Sequence, residues 1–192
     1  EFSEAVALIE RDLGCGLGEV FETLDPDPIG SASLSCVYQA VLKTGETVAV
    51  KVKRPGIDRL VAADLQAVRW ICILAEWTGL VRPGLTRNFR EELTRMLTEE
   101  LDFVLEARYT EIFRKESKKN RYISAPKVYM DLCGENTIVT EFISGVFLIE
   151  ILHALDQENY AALEEFRRRG YDLVKLSKRM MNVFHWEVYE TH

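Results

Sequence analysis

The sequence is poor in the features that mark membrane-spanning and nucleic-acid-binding proteins. Its longest apolar stretch, residues 71–75, is far too short to span a bilayer. Lysine and arginine number 24 against 31 aspartates and glutamates, which gives a net charge of −7. Nucleic acids and anionic membranes select basic surfaces. We therefore expect no transmembrane segment in this chain and no nucleic-acid partner.

Cysteine is scarce, and its spacing shows no pairs. The four cysteines are scattered along the chain: Cys15, Cys36, Cys72 and Cys133. This pattern argues against a disulfide framework and against a zinc site, and it favours reduced thiols. Acidic residues at positions 1, 4 and 10 argue against a signal peptide. A hydrophobic content of 47% and a charged content of 29% are typical of globular proteins. The composition thus predicts a soluble, intracellular protein.

The hydrophobic pattern of the first half predicts helices around a hairpin. A first helix is capped at Ser3 and stops at Gly14. The proline-rich segment 25–28 then breaks the chain. Two β-like runs, 36–42 and 47–53, flank a glycine-containing turn, which predicts a hairpin. Helical spacing covers residues 57–79.

The second half has a similar order. After a breaker at Pro83-Gly84, Thr86 is expected to cap one long helix that ends near residue 118. Runs at 125–130 and 137–142, turned at 134–136, predict a second hairpin. The pattern after Gly145 is helical, with a break at Gly170. A small antiparallel sheet interrupted by helices is an α+β arrangement.

The run 47–53 alternates between two faces. Valines at the even positions share one face, and Ala49, Lys51 and Lys53 share the other. One interpretation is a half-buried strand with its lysines in solvent. The alternative is a nucleotide site, in which Ala49 leaves room for a flat base and Lys51 reaches phosphate oxygens as a point charge.

Small residues fill the segment just upstream, from Ile29 to Val37. Small side chains allow backbone N–H groups to approach phosphates closely, as a phosphate-covering loop requires. An ordinary turn is the alternative interpretation. The segment is not a Walker loop, because no Gly-Lys-Ser/Thr closes it and a strand follows it rather than a helix.

Acidic residues cluster between positions 99 and 106. In a regular helix Asp102 and Glu106 share one face, since four residues turn through about 400°. Like charges at that spacing repel, which suggests a cation nearby. Glu100 and Asp102 would point to nearly opposite sides, so the helix must break near Leu101 if both serve one site. A solvated acidic surface is the alternative.

Four segments together resemble the UbiB/AarF family of atypical protein-kinase-like proteins. They are residues 28–34 (Pro-Ile-Gly-Ser-Ala-Ser-Leu), 48–57 (Val-Ala-Val-Lys-Val-Lys-Arg-Pro-Gly-Ile), 100–107 (Glu-Leu-Asp-Phe-Val-Leu-Glu-Ala) and 139–145 (Val-Thr-Glu-Phe-Ile-Ser-Gly). The resemblance implies a kinase-like small lobe at 25–142, with an inserted helix at 57–79 and a long acidic helix. It also implies a helical extension at 1–24 and the first helices of the large lobe at 143–192.

The resemblance implies a role for individual residues. Lys51 would hold the α- and β-phosphates of ATP, and Glu106 would pair with Lys51. Glu100 and Asp102 would form the Glu-x-Asp element of the family. The other implied nucleotide-binding residues are a stiff phosphate loop of Gly30, Ser31, Ala32 and Ser33, the ring contacts Ile29, Val37 and Ala49, the gatekeeper Thr140, and Glu141 and Ile143 at the adenine edge.

The implied activity is ATP hydrolysis or phosphoryl transfer in support of ubiquinone biosynthesis. ATP or ADP and Mg²⁺ are the implied ligands, and quinone-biosynthesis proteins or lipid are implied partners. The implied location is the cytoplasm or the periphery of an inner membrane, or an organelle in a eukaryote.

The chain also departs from the family pattern. The Lys-x-Gly-Gln segment, the His-x-Asp box and the Asp-Phe-Gly metal ligand do not occur in the 192 residues. We therefore expect no metal ligands in this chain and no catalysis by the chain alone. A non-catalytic, pseudokinase-like scaffold or nucleotide-binding interaction module is the alternative. A helical interaction domain with a chance Val-Ala-Val-Lys strand is a third possibility.

Overall fold

The computed structural model describes residues 2–82 and 84–189, without the side chains of residues 187–189. Glu1 and Pro83, which entered the expectations above, lie outside the described residues. The chain divides into two compact units. The first comprises residues 1–112 and 126–142, and the second comprises residues 113–125 and 143–192.

An antiparallel sheet forms the centre of the first unit. Its strands in the described residues are β1 (Phe21–Leu24), β2 (Gly30–Ser31), β3 (Ser35–Leu42), β4 (Thr47–Lys53) and β5 (Thr137–Glu141). The order across the sheet is β1-β3-β4-β5, and β2 also pairs with β3. The predicted hairpin of β3 and β4 is confirmed, with Val37 opposite Lys51 and Val41 opposite Thr47.

The alternating pattern of β4 sorts its side chains between two apolar clusters. Val48, Val50 and Val52 are at most 1% exposed and face the larger cluster. Helix α1 (Phe2–Leu13) covers this face with Ala5 and Ile9. A short helix, α2 (Leu17–Val20), follows the glycine that ends α1. The valine face of the strand is therefore a structural core.

Two helices follow β4 and precede the acidic segment. Helix α3 (Ile57–Trp77) confirms the helix predicted at 57–79, apart from its last residues. Helix α4 (Leu85–Glu100) begins after Gly84, which is its N-cap with φ of 84°. Thr86 is therefore not the cap that the pattern predicts. Its hydroxyl instead donates to Glu76 Oε1 on α3 at 2.5 Å.

The single long helix predicted from Thr86 to residue 118 is wrong, because the chain forms two helices. Helix α4 ends at Glu100, and helix α5 (Phe103–Ser117) begins after Asp102. The carboxylate of Asp102 accepts a hydrogen bond from the Leu105 N–H at 2.8 Å. It thus satisfies a free donor of the first turn of α5, as an N-cap does.

The second hairpin forms only in part. Strand β5 is present and pairs with β4, but residues 125–130 contribute a single bridge between Val128 and Thr140. The chain then turns through a 3₁₀-helix at Met130–Leu132. The N–H of Gly134 donates to the Thr137 carbonyl at 2.9 Å, which closes the turn predicted at 134–136.

A second apolar cluster lies on the other face of the sheet. It contains Phe103 and Ala107 from α5, Ile138 from β5, and Val128. Phe103 is 1% exposed and Ala107 is fully buried. Since Lys51 and Ile138 lie side by side in the sheet, α5 covers the face that carries Lys51.

The second unit is helical. It contains the end of α5 and the helices α6 (Leu148–Asp156), α7 (Tyr160–Arg168) and α8 (Leu173–Tyr189). Gly170, with φ of 93°, lies between α7 and α8, which confirms the predicted break. The mixed architecture confirms the α+β prediction. Within the described residues, no helix combines the length and apolarity needed to cross a bilayer.

Candidate functional site

Lys51 lies in the middle of the sheet rather than at an edge. It is flanked by Val37 on β3 and by Ile138 on β5. Strands on both sides fix its backbone, and the alternation of β4 directs the side chain toward α5. The position of the ammonium is therefore determined by regular structure.

Glu106 meets Lys51 from the first turn of α5. Lys51 Nζ donates to Glu106 Oε1 at 2.7 Å and to Oε2 at 2.8 Å. The Lys51 side chain is 31% exposed and that of Glu106 is 42% exposed. Lys51 Nζ also lies 4.8 Å from the centroid of the buried Phe103 ring, within the range of a cation–π contact. The ion pair thus stands at the edge of the second cluster, open to solvent on one side.

The ion pair lines an open groove of about 750 Å³. Glu100, the last residue of α4, lines the same groove, together with Arg95 and Tyr109. Asp102 does not. It lines a neighbouring groove beside Lys53 and caps α5. With the break between α4 and α5, Glu100 lines the groove of the ion pair and Asp102 lines the neighbouring one, so Asp102 and Glu106 do not serve one groove.

The loop over residues 31–35 begins where β2 ends. Its base is closed by the Ile29 N–H, which donates to the Val37 carbonyl, and by the Ala32 N–H, which donates to the Ser35 carbonyl, both at 2.9 Å. The Ala32 N–H is thus already used within the loop. Among the described residues, the N–H groups of Ser33 and Leu34 donate to no other part of the chain. The backbone hydrogen bonds of the loop therefore leave these two N–H groups unused.

Pairing in the sheet brings three residues of the implied adenine pocket together. Ala49 is opposite Thr140 of β5, and Val37, opposite Lys51, lies two residue pairs along on the same face. Gly30 pairs with Val37, so Ile29 follows at the edge of this row, where it is 47% exposed. Ala49 therefore lies between two larger cross-strand neighbours, Gln39 of β3 and Thr140 of β5.

The resemblance implies that Glu141 and Ile143 lie at the adenine edge, but the two residues belong to different units of the chain. Glu141 ends β5, and its N–H donates to the Lys127 carbonyl at 2.8 Å. Its carboxylate accepts the Lys127 N–H at 3.2 Å. Ile143 belongs to the second unit and is 55% exposed.

Sequence patterns did not indicate the partners of two basic residues next to this site. Lys53, which one interpretation put in solvent, is 7% exposed and bonds Asp58 at 3.2 Å. The guanidinium of Arg54 donates to Ala32 and Ser31 of the loop, 22 and 23 residues away in sequence. The Arg-Pro-Gly sequence after β4 belongs to the segments that carry the family resemblance, but it does not indicate which residues Arg54 contacts.

The described part of the chain contains no cluster of side chains that could bind a metal ion. No group of three or more histidine, cysteine, aspartate or glutamate side chains is arranged there to hold an ion. The acidic residues near the ion pair are split between two grooves. These residues do not fit a Mg²⁺ site by themselves.

Comparison with known proteins assigns the chain to a family. Residues 1–192 match the model of the ABC1 atypical kinase-like domain. The chain is 33% identical to "Probable protein kinase UbiB" of Pseudomonas putida over 190 residues, which are 97% of this chain and 32% of that protein. It is 37% identical over 144 residues to "Protein ACTIVITY OF BC1 COMPLEX KINASE 1, chloroplastic" of Arabidopsis thaliana, covering 74% of this chain and 21% of that protein.

A solved structure supports the same fold. The Rv3197–erythromycin complex from Mycobacterium tuberculosis is similar with a TM-score of 0.69 and 27% identity, over 80% of this chain and 38% of that one. The chain spans about a third or less of the length of these curated relatives. The resemblance inferred from the sequence is confirmed, and so is the kinase-like α+β fold. The chain belongs to the ABC1 atypical kinase-like domain family.

Proposed function

We propose that this chain is the ATP-binding portion of a UbiB-type atypical kinase or ATPase. The observation that carries the proposal is the Lys51–Glu106 ion pair, with both carboxylate oxygens within 2.8 Å of the ammonium. A lysine on a central strand paired with a helix glutamate is the arrangement that protein kinases use to hold the α- and β-phosphates. Membership of the ABC1 family supports the same role.

The surrounding residues suit a nucleotide. Ala49 and Val37 would contact one side of an adenine ring, with Ile29 at the edge and Thr140 as gatekeeper. The free N–H groups of Ser33 and Leu34 would bind phosphate oxygens, as small-residue loops do. Glu106 would hold the ammonium of Lys51 in place, so that Lys51 does not lose its orientation between binding events.

Chemistry would need groups that these residues do not supply. ATP with Mg²⁺ is the proposed ligand of the full-length protein, and phosphoryl transfer depends on metal-assisted charge neutralisation. We assign no metal ligand to this chain and predict that the purified chain does not turn over ATP. We propose that Glu100, which lines the groove of the ion pair, acts on the bound nucleotide, whereas Asp102 supports the start of α5.

The wider role is a further part of this proposal. The UbiB relative and the chloroplastic relative support a kinase-like protein. We propose a role in ubiquinone or related quinone biosynthesis, with other proteins of that pathway or lipid as partners. The location would be the cytoplasm or the periphery of an inner membrane, and an organelle in a eukaryote.

The proposal is tested by calorimetric titration of the chain with ATP in the presence of Mg²⁺. Lys51→Met removes charge-assisted hydrogen bonds worth about 1.5–3 kcal/mol each. The affinity for ATP should therefore fall about 10- to 100-fold. Lys43→Met, in the exposed turn between β3 and β4, is the matched control and should leave the affinity unchanged. Equal ATP affinities for the wild type and Lys51→Met would refute the proposal.

A further inference from the structure

Arg54 binds the 31–35 loop through both its backbone and its side chain. Its backbone N–H donates to the Leu34 carbonyl at 2.9 Å. Its guanidinium Nε donates to the Ala32 carbonyl at 2.8 Å, and Nη2 donates to Ser31 Oγ at 2.8 Å. Three hydrogen bonds from one residue therefore hold the loop at three of its five positions.

The guanidinium of Arg54 makes two hydrogen bonds to the loop at once. Nε and Nη2 lie on one edge of a rigid plane, and they reach two acceptors on adjacent loop residues. A lysine at this position offers a single donor nitrogen on a flexible stem and cannot reproduce both bonds with fixed spacing. Arginine is thus required by shape as well as by charge.

The position of Arg54 in the chain links the loop to Lys51. Arg54 directly follows Lys53, the last residue of β4, and stands three positions after Lys51. The pairing of Ser35 with Lys53 continues the sheet up to the loop. A loop fixed to Arg54 is therefore fixed relative to the ammonium of Lys51, through a few residues of regular strand.

We propose that Arg54 is a positioning residue that fixes the 31–35 loop relative to Lys51. The expected consequence of this positioning, tighter binding of phosphate, rests on the proposed function. With Ser31, Ala32 and Leu34 held, the N–H groups of Ser33 and Leu34 keep one placement and are available to an anion without a prior ordering step. Preorganised donors bind more tightly because less conformational entropy is lost on binding.

The first measurement needs no nucleotide. Hydrogen exchange of individual amides in the 192-residue chain, read by NMR, reports the bonds that close the loop. The Ala32 N–H, bonded to the Ser35 carbonyl, should exchange about tenfold faster in Arg54→Met, since charged hydrogen bonds of this kind are worth more than 1.4 kcal/mol. Arg54→Lys should give an intermediate rate. Arg59→Met, an exposed arginine of α3, is the matched control and should leave the rate unchanged.

The second measurement compares ATP with adenosine, which has no phosphate. Arg54→Met should weaken ATP about tenfold and leave adenosine unchanged, and Arg54→Lys should again be intermediate. If Arg54 acted only through its charge, Arg54→Lys would bind ATP like the wild type and show wild-type exchange at Ala32, and the positioning role would be refuted.

The two measurements separate this inference from the proposed function. Unchanged exchange at Ala32 in Arg54→Met overturns the positioning role, whatever the nucleotide result. If the wild-type chain binds neither ATP nor adenosine, the proposed function fails, while a tenfold change in exchange still supports the anchoring of the loop by Arg54.

Discussion

The Lys51–Glu106 ion pair should matter far more for ATP binding than for the stability of the fold. The test is a double-mutant cycle with Lys51→Met, Glu106→Gln and the double variant. At 2.7 Å and an effective dielectric of 20, the gross attraction between the charges is about 6 kcal/mol. The side chains are 31% and 42% exposed, and ion pairs with such access to water contribute only about 0.2–1 kcal/mol net.

The expected coupling in the free energy of unfolding is therefore at most about 1 kcal/mol. For a chain of this size that corresponds to a shift in Tm of about 2–4 °C. The coupling in ATP binding should be larger, because Glu106 has its effect on phosphate through Lys51. Each single variant should lose about tenfold or more in ATP affinity, and the double variant should be no worse than Lys51→Met.

The assay pairs urea unfolding of the four proteins with calorimetric titration of ATP. Lys43→Met, in the exposed turn before β4, controls for the loss of one positive charge. A coupling above about 2 kcal/mol in unfolding would mean that the pair is mainly a structural bridge, since exposed pairs do not reach that value. Additive losses of ATP affinity would mean that Glu106 does not act through Lys51. Either result would show that the Lys51–Glu106 pair does not serve mainly to bind ATP.

Three further predictions concern the loop, a turn and a thiol. Ala32→Gly should loosen the 31–35 loop, because glycine widens the allowed backbone range, and calorimetry should show a changed ratio of ADP to ATP affinity; an unchanged ratio would count against a role for loop stiffness. Gly134→Ala should destabilise the chain by about 1–3 kcal/mol in urea unfolding, because the added Cβ would lie 2.5 Å from Asp12 Cγ and 2.6 Å from Asp12 Cβ; an unchanged midpoint in Gly134→Ala would contradict it. Burial raises the pKa of the Cys133 thiol, so folding favours the neutral thiol, and this contribution to stability is lost as the pH rises above about 8.5, the pKa of an unfolded thiol. Cys133 should be alkylated more slowly in the native chain than in urea, and equal rates would show that the fold does not protect it.

The sequence predicted the parts of the fold that depend on local pattern. The alternation of 47–53 placed the valines in the core and Lys51 on the opposite face, because a strand has a fixed period of two. The break at Gly170 was also local, since a positive φ favours glycine over other residues. The family resemblance supplied the pairing of Lys51 with Glu106, whose geometry no local pattern contains.

The rest depended on particular side-chain contacts that the hydrophobic pattern does not show. The hydrophobic pattern predicts one helix through Asp102, and only the bond of Asp102 to the Leu105 N–H shows that it caps a new helix instead of continuing the old one. Lys53 is buried because Asp58 and the Phe103 ring receive its ammonium. The loop contacts of Arg54 span 22 residues or more. Periodicity carries no information on such partners.

A crystal structure of the chain with a non-hydrolysable ATP analogue would show directly whether Lys51 and Glu106 hold the phosphates. We expect Lys51 Nζ to lie within hydrogen-bonding distance of α- or β-phosphate oxygens while it still contacts Glu106, with the triphosphate beneath the 31–35 loop. A nucleotide bound elsewhere on the chain, with the Lys51–Glu106 pair remote from its phosphates, would contradict it.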